Sequence, residues 1–93
     1  MEIALLTIDI HLPYAQSLKD KREVVRQLKD RLRAKFNCSV AEVDANDLWQ
    51  ISHVAVVTVN SDHVLLEQMM SAMEREAGRI LAGNDYEFHR EFM

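Results

Sequence analysis

Two glycines and one proline in 93 residues leave no room for a flexible linker and little for long loops. The single cysteine, Cys38, has no partner for an internal disulfide. Stability must come from packing, and the composition fits a reducing, cytoplasmic setting. Apolar runs are only a few residues long, far short of the ~20 needed to cross a bilayer, so no membrane association is expected. Met1-Glu2-Ile3 lacks the basic region and long apolar core of a signal peptide. Glycine-rich phosphate loops, CxxC pairs and the HExxH motif are all missing. No cofactor is implied, and neither a metal nor a catalytic constellation is expected from spacing. Aromatic residues are sparse at 6%, with one tryptophan, and no run resembles the aromatic RNP motif of base-stacking RNA-binding domains.

What is present is an ordinary globular balance of 48% hydrophobic and 28% charged residues. The length fits one domain over residues 1–93. Net charge is −4, but it is unevenly placed. Residues 17–37 hold eight basic and three acidic residues, net +5; the rest hold three basic and twelve acidic, net −9. Such a chain would meet a polyanion with one face only.

The patterning alternates between periods of two and 3.6. Ala4, Leu6, Ile8, Ile10 and Leu12 alternate with Thr7, Asp9 and His11, which predicts a strand over Ile3–Leu12 stopped by Pro13. Ser17 with Asp20 three residues on reads as a helix N-terminus. A helix follows from about Leu18 to Phe36, with Leu18, Val25, Leu28, Leu32 and Phe36 on its inward stripe. Cys38–Asp44 predicts a short strand, Ala45-Asn46-Asp47 a turn, and Leu48–Val59 a β-branched strand. Asn60-Ser61-Asp62 opens a second helix with Leu66, Met69, Met70, Met73, Ala77, Ile80 and Leu81 inward, and Gly83 ends it. Tyr86–Phe92 alternates again.

The order β-α-β-β-α-β predicts an α+β, ferredoxin-like sandwich: a four-stranded antiparallel sheet with both helices on one face. Val54 and Val56 oppose Ala55, Val57 and Val59, so the third strand is apolar on both sides. A central strand of that kind predicts a covered open face, and a second copy of the chain is the simplest cover: a homodimer through the sheets.

Two stretches carry a family resemblance. Leu12-Pro13 followed by Ser17-Leu18-Lys19-Asp20-Lys21-Arg22, and Ser39-Val40-Ala41-Glu42-Val43-Asp44 leading into Asp47-Leu48-Trp49-Gln50, together resemble the YlxP-like family of small bacterial proteins of unknown function. The resemblance spans essentially the whole chain and implies the same ferredoxin-like sandwich. Members tend to be encoded among transcription-termination, translation-initiation and ribosome-maturation factors. That implies work on RNA or the ribosome, and no catalytic residue comes with it.

Lys19, Arg22, Arg26, Lys29 and Arg33 are the candidate polyanion-binding residues. At 100° per residue they fall within about 80° of one another, along about 21 Å of helix. Glu23 and Asp30 stand at helical spacings from Lys19, Arg26 and Arg33, and internal pairing there would make the stripe an ordinary solvated face. Asp9, His11, Glu87, His89 and Glu91 should share the open face if the end strands are neighbours; cross-strand polar pairs explain them as well as a metal would. Glu42, Asp44 and Asp47 show no cleft for acid–base work. Trp49 is read as a core or dimer-interface anchor, and Cys38 as a small hydrophobe. The expectation is a non-enzymatic accessory factor that contacts RNA or the ribosome through its first helix; the alternative is a homodimeric interaction or small-ligand module using the open sheet face.

Overall fold

The computed structural model describes residues 1–45 and 47–93. Strand β1 spans Glu2–His11, helix α1 Leu18–Lys35, β2 Ser39–Asp44, β3 Ile51–Asn60, helix α2 His63–Ile80 and β4 Asp85–Phe92. The strands form one sheet in the order β2-β3-β1-β4, every neighbouring pair antiparallel. This is the ferredoxin-like arrangement expected from the element order, with β1 and β3 central.

Alternation fixes which side each strand buries. Ala4, Leu6, Ile8 and Ile10 of β1 pair with Thr58, Val56, Val54 and Ser52 of β3, and all eight are buried under the helices. α1 adds Val25, Leu28 and Leu32, and α2 adds Leu66, Met70, Met73 and Ala77, closing one core. The helix ends obey local chemistry. Ser17 Oγ accepts the amide of Asp20, while Asp20 Oδ2 accepts that of Gln16. Asp62 accepts the amides of Val64 and Leu65. Beyond α2, Gly83 takes a positive φ of 88°, a conformation glycine adopts without the Cβ penalty.

Most boundaries shift from the sequence reading: β1 runs Glu2–His11, not Ile3–Leu12, β3 ends at Asn60, not Val59, and β4 begins at Asp85, not Tyr86. α1 ends at Lys35, and Phe36 serves as its C-cap. β2 begins at Ser39. β3 begins at Ile51, not Leu48, because the Leu48 amide turns back to the Ala45 carbonyl at 3.1 Å and the last β1 partner is His11. Of the expected Ala45-Asn46-Asp47 turn, Asn46 lies outside the described residues. No helix among the described residues is long and apolar enough to cross a membrane.

Candidate functional site

The basic residues of α1 divide by what their charges touch. Lys21 falls on the inward stripe, between Leu18 and Val25, and is fully buried. Arg31 and Lys35 face α2, where Glu76 Oε2 accepts from Lys35 at 3.0 Å and from Arg79 at 2.9 Å, and Glu76 Oε1 lies 3.7 Å from Arg31. Arg33 is exposed, yet its guanidinium donates to the Val40 carbonyl on edge strand β2 at 2.7 Å. That leaves Lys19, Arg22, Arg26 and Lys29. Among the described residues none of these four forms an ion pair within 4.0 Å, and Glu23 and Asp30 form none either. The internal neutralisation that the helical spacings allow is therefore not made. The four cations line a shallow groove between α1 and β2 together with Glu23, Val25 and Glu42. Their rise along the helix axis is about 15 Å at 1.5 Å per residue.

Lys21 does different work. Its Nζ donates to the carbonyls of Ala45 (2.7 Å) and Ile51 (3.3 Å) and lies 3.0 Å from Glu42 Oε2. Glu42 also accepts from the Ser52 hydroxyl at 2.6 Å. Ala45 sits at φ 62°, a left-handed conformation that costs a residue with a Cβ about 1–2 kcal/mol. The Lys21 ammonium grips the carbonyl of that residue, so it holds the β2–β3 loop against α1. Gln50 adds a second stitch, donating to the carbonyl of Ala15 at 3.2 Å, while its own carbonyl accepts the Leu12 amide at 2.8 Å.

Glu76 is an electrostatic clamp between the helices. The hydrogen bond from Lys35, reinforced by the charges of Lys35, Arg79 and Arg31, holds its carboxyl below the usual carboxylate range, although burial opposes this. A carboxylate whose folded value is depressed stabilises the fold above its unfolded value, and loses that contribution as pH falls through the folded one. Glu76→Gln is therefore expected to lower stability at pH 7, with the difference from the parent chain shrinking to nothing in strong acid. Urea titrations at pH 7 and pH 3 check this; an equal difference at both would contradict it.

The other sheet face divides lengthwise. One half carries Ile3, Leu5, Ala55, Val57 and Val59, with Val57 40% and Val59 54% exposed. The other half is polar. Asp9 of β1 lies between His53 of β3 and Glu87 of β4 in register. His53 Nδ1 is 2.7 Å from Asp9 Oδ1, and His89 Nε2 is 3.1 Å from Asp9 Oδ2 and 3.9 Å from Glu87 Oε2. His11 instead pairs with Asp85 at 3.3 Å.

A family model described as "Protein of unknown function (DUF503)" matches residues 3–86. The chain belongs to this family. The protein named "Uncharacterized protein YlxP" of Bacillus subtilis (strain 168) is 35% identical over 68 residues, covering 73% of this chain and 66% of that relative. The chain thus spans just under two-thirds of the length of that relative, and the expected YlxP-like membership holds. Among solved structures, the de novo designed protein LFR1 1 with ferredoxin fold aligns with a TM-score of 0.61 at 11% identity, over 99% of this chain and 85% of its own. An antibiotic biosynthesis monooxygenase aligns with a TM-score of 0.55 at 16% identity, over 98% and 95%. A designed protein and an enzyme sharing the backbone at such identities establish the fold of this DUF503 domain and nothing of its chemistry.

Within the DUF503 chain, the two stretches that carry the YlxP-like resemblance meet in space through Lys21 and Glu42. Two of the second stretch's three acidic residues have structural partners: Glu42 faces Lys21 and Ser52, and Asp44 accepts the amide of Ala45. Trp49 is 50% exposed, so of the two readings, core or dimer-interface anchor, the core one does not hold. It sits on the β2–β3 connection beyond the sheet's last paired residue. Cys38 packs beside the core as expected, and burial raises its thiol above the usual range. The sequence reading missed His53. Its signal was available, because the residue alternates with Ser52 and Val54 on a strand whose outward positions are otherwise apolar.

Proposed function

We propose that this DUF503 domain is a non-enzymatic accessory factor that contacts RNA through the outer face of α1. The observation supporting this reading is the group of four cations, Lys19, Arg22, Arg26 and Lys29, on one helix face, none of which forms an ion pair within 4.0 Å among the described residues. The four cations repel one another weakly at helical spacing, and an anionic partner would relieve that repulsion. Arginine forks and lysine ammoniums suit phosphate oxygens, and the row follows the axis of a rigid helix. The outward sheet positions carry no phenylalanine, tyrosine or tryptophan to stack on bases, so contact is with the backbone and shape of a folded RNA. Filter binding of the full chain to a structured RNA at about 50 mM salt tests the reading, since electrostatic contact is strongest at low ionic strength. Saturable binding is expected; no binding there would overturn it.

A second reading concerns assembly, and the exposed valines of β3 favour it. Ile3, Leu5, Val57 and Val59 form an apolar half-face with no helix over it. A second copy packed through the same half-face would bury it on both chains. Sedimentation at micromolar concentration is expected to give a dimer that Val57→Asp converts to a monomer. A parent chain that sediments as a monomer would contradict this.

A further inference from the structure

The polar half of the open sheet face holds a set of side chains that neither the RNA reading nor the apolar half-face uses. We propose that Asp9, Glu87 and His89 form a binding site for a divalent transition-metal ion, Zn2+ being the best match, with His53 orienting Asp9. One ligand atom from each of the three lies within 4.8 Å of the others. Ligands bound to one tetrahedral zinc at about 2.0–2.2 Å stand about 3.4 Å apart. The separations from His89 Nε2, 3.1 Å to Asp9 Oδ2 and 3.9 Å to Glu87 Oε2, bracket that value, so small side-chain rotations bring all three onto one ion.

Three features suit a cation. First, the ligand atoms come from neighbouring strands in fixed register, Asp9 opposite Glu87 and Thr7 opposite His89, so the backbone holds them together without a loop. Second, Asp9 divides its two oxygens. Oδ1 accepts from His53 Nδ1–H at 2.7 Å, which fixes the carboxylate and leaves Oδ2 turned towards His89 and Glu87. Such outer hydrogen bonds orient the ligands of metal sites. Third, the paired outward positions carry the carboxylates Asp9, Asp85, Glu87 and Glu91 and no lysine or arginine. The field there favours a positive ion.

In the metal-free cluster His89 Nε2–H donates to Asp9; with the ion bound, Nε2 carries the lone pair to the metal and the proton resides on Nδ1. One imidazole and two carboxylates leave the fourth position of a tetrahedron open to solvent. A nitrogen ligand selects against Mg2+ and Ca2+, which prefer all-oxygen sets.

The test is calorimetric titration of the full chain with ZnCl2 at pH 7.5, with MgCl2 as comparison. One Zn2+ per chain at micromolar affinity is expected, with Mg2+ binding at least 100-fold weaker. His89→Ala and Glu87→Gln should each weaken Zn2+ at least 10-fold, and His53→Ala about 10-fold by freeing Asp9. Glu91→Gln, on the same face but outside the ligand set, should change affinity less than 2-fold. Nitrogen-detected histidine spectra should show Zn2+ shifting His89 Nε2 and leaving the ring of His63 in place. Absence of saturable Zn2+ binding below 1 mM would overturn the proposal. So would binding that survives both His89→Ala and Glu87→Gln in variants whose circular dichroism matches the parent.

Discussion

Replacing Lys21 by alanine is expected to destabilise the domain by about 3–5 kcal/mol, the usual consequence of removing one partner from a buried ion pair. Domains of this kind have only ~5–15 kcal/mol in total, so the variant should be partly unfolded in cells and show a much lower urea midpoint. The size follows from what is left behind. Glu42, with only 14% of its side chain exposed, keeps the Ser52 hydroxyl but loses its counter-charge. The carbonyls of Ala45 and Ile51 lose the ammonium that bridges them, and the left-handed backbone at Ala45 loses its anchor. Lys21→Met, which restores the volume, should recover part of the loss. A double-mutant cycle with Glu42→Gln should show a coupling above about 0.5 kcal/mol, as contacting charges do. Losses under 1 kcal/mol in urea denaturation of Lys21→Ala would mean that the junction does not hold the two ends of the fold together.

The same residue shows where a sequence reading reaches its limit. The helices, the strand order and the core stripes were legible because apolar spacing is physical: Val25, Leu28 and Leu32 must share a face, and Ala4, Leu6 and Ile8 must share another. Lys21 occupies a position on the same stripe as Leu18 and Val25, but its charge places it with the solvent-facing cations in any reading by residue type. The approach of Glu42, 21 positions later in sequence, and of the Ala45 and Ile51 carbonyls makes its burial tolerable. Glu76 is similar, since the cations that hold it come mostly from the other helix. Exposure of Trp49 was invisible for a related reason: the turn at Leu48 ends β3 before the tryptophan reaches the sheet. The polar half-face was partly legible, because period-two alternation places Asp9, Glu87 and His89 outward. His53 was harder to read as part of that half-face, because it stands alone as a polar residue among the apolar outward positions of β3.

Charge reversal on α1 has the second large expected effect. Arg22→Glu, Arg26→Glu and Lys29→Glu together should abolish measurable RNA binding at about 100 mM salt, where contacts to phosphate dominate. Stability should change little, since among the described residues these three make no ion pair to lose. Arg31→Glu and Lys35→Glu should behave in the opposite way. They strip Glu76 of its partners on α1, so they lower stability, while RNA affinity falls much less than with the triple variant. Equal loss of binding in both sets would mean that the whole positive segment acts as an undivided charge.

The salt dependence of RNA binding tests the central claim most directly, because it counts the cations engaged. Four free charges predict a log–log slope of about −2.8 to −3.6, and a fall in affinity of roughly 50- to 150-fold between 50 and 200 mM salt. A slope of about −6 to −7 would show that all eight basic residues of the segment take part. A slope near zero would show that phosphate contact is not how this domain binds.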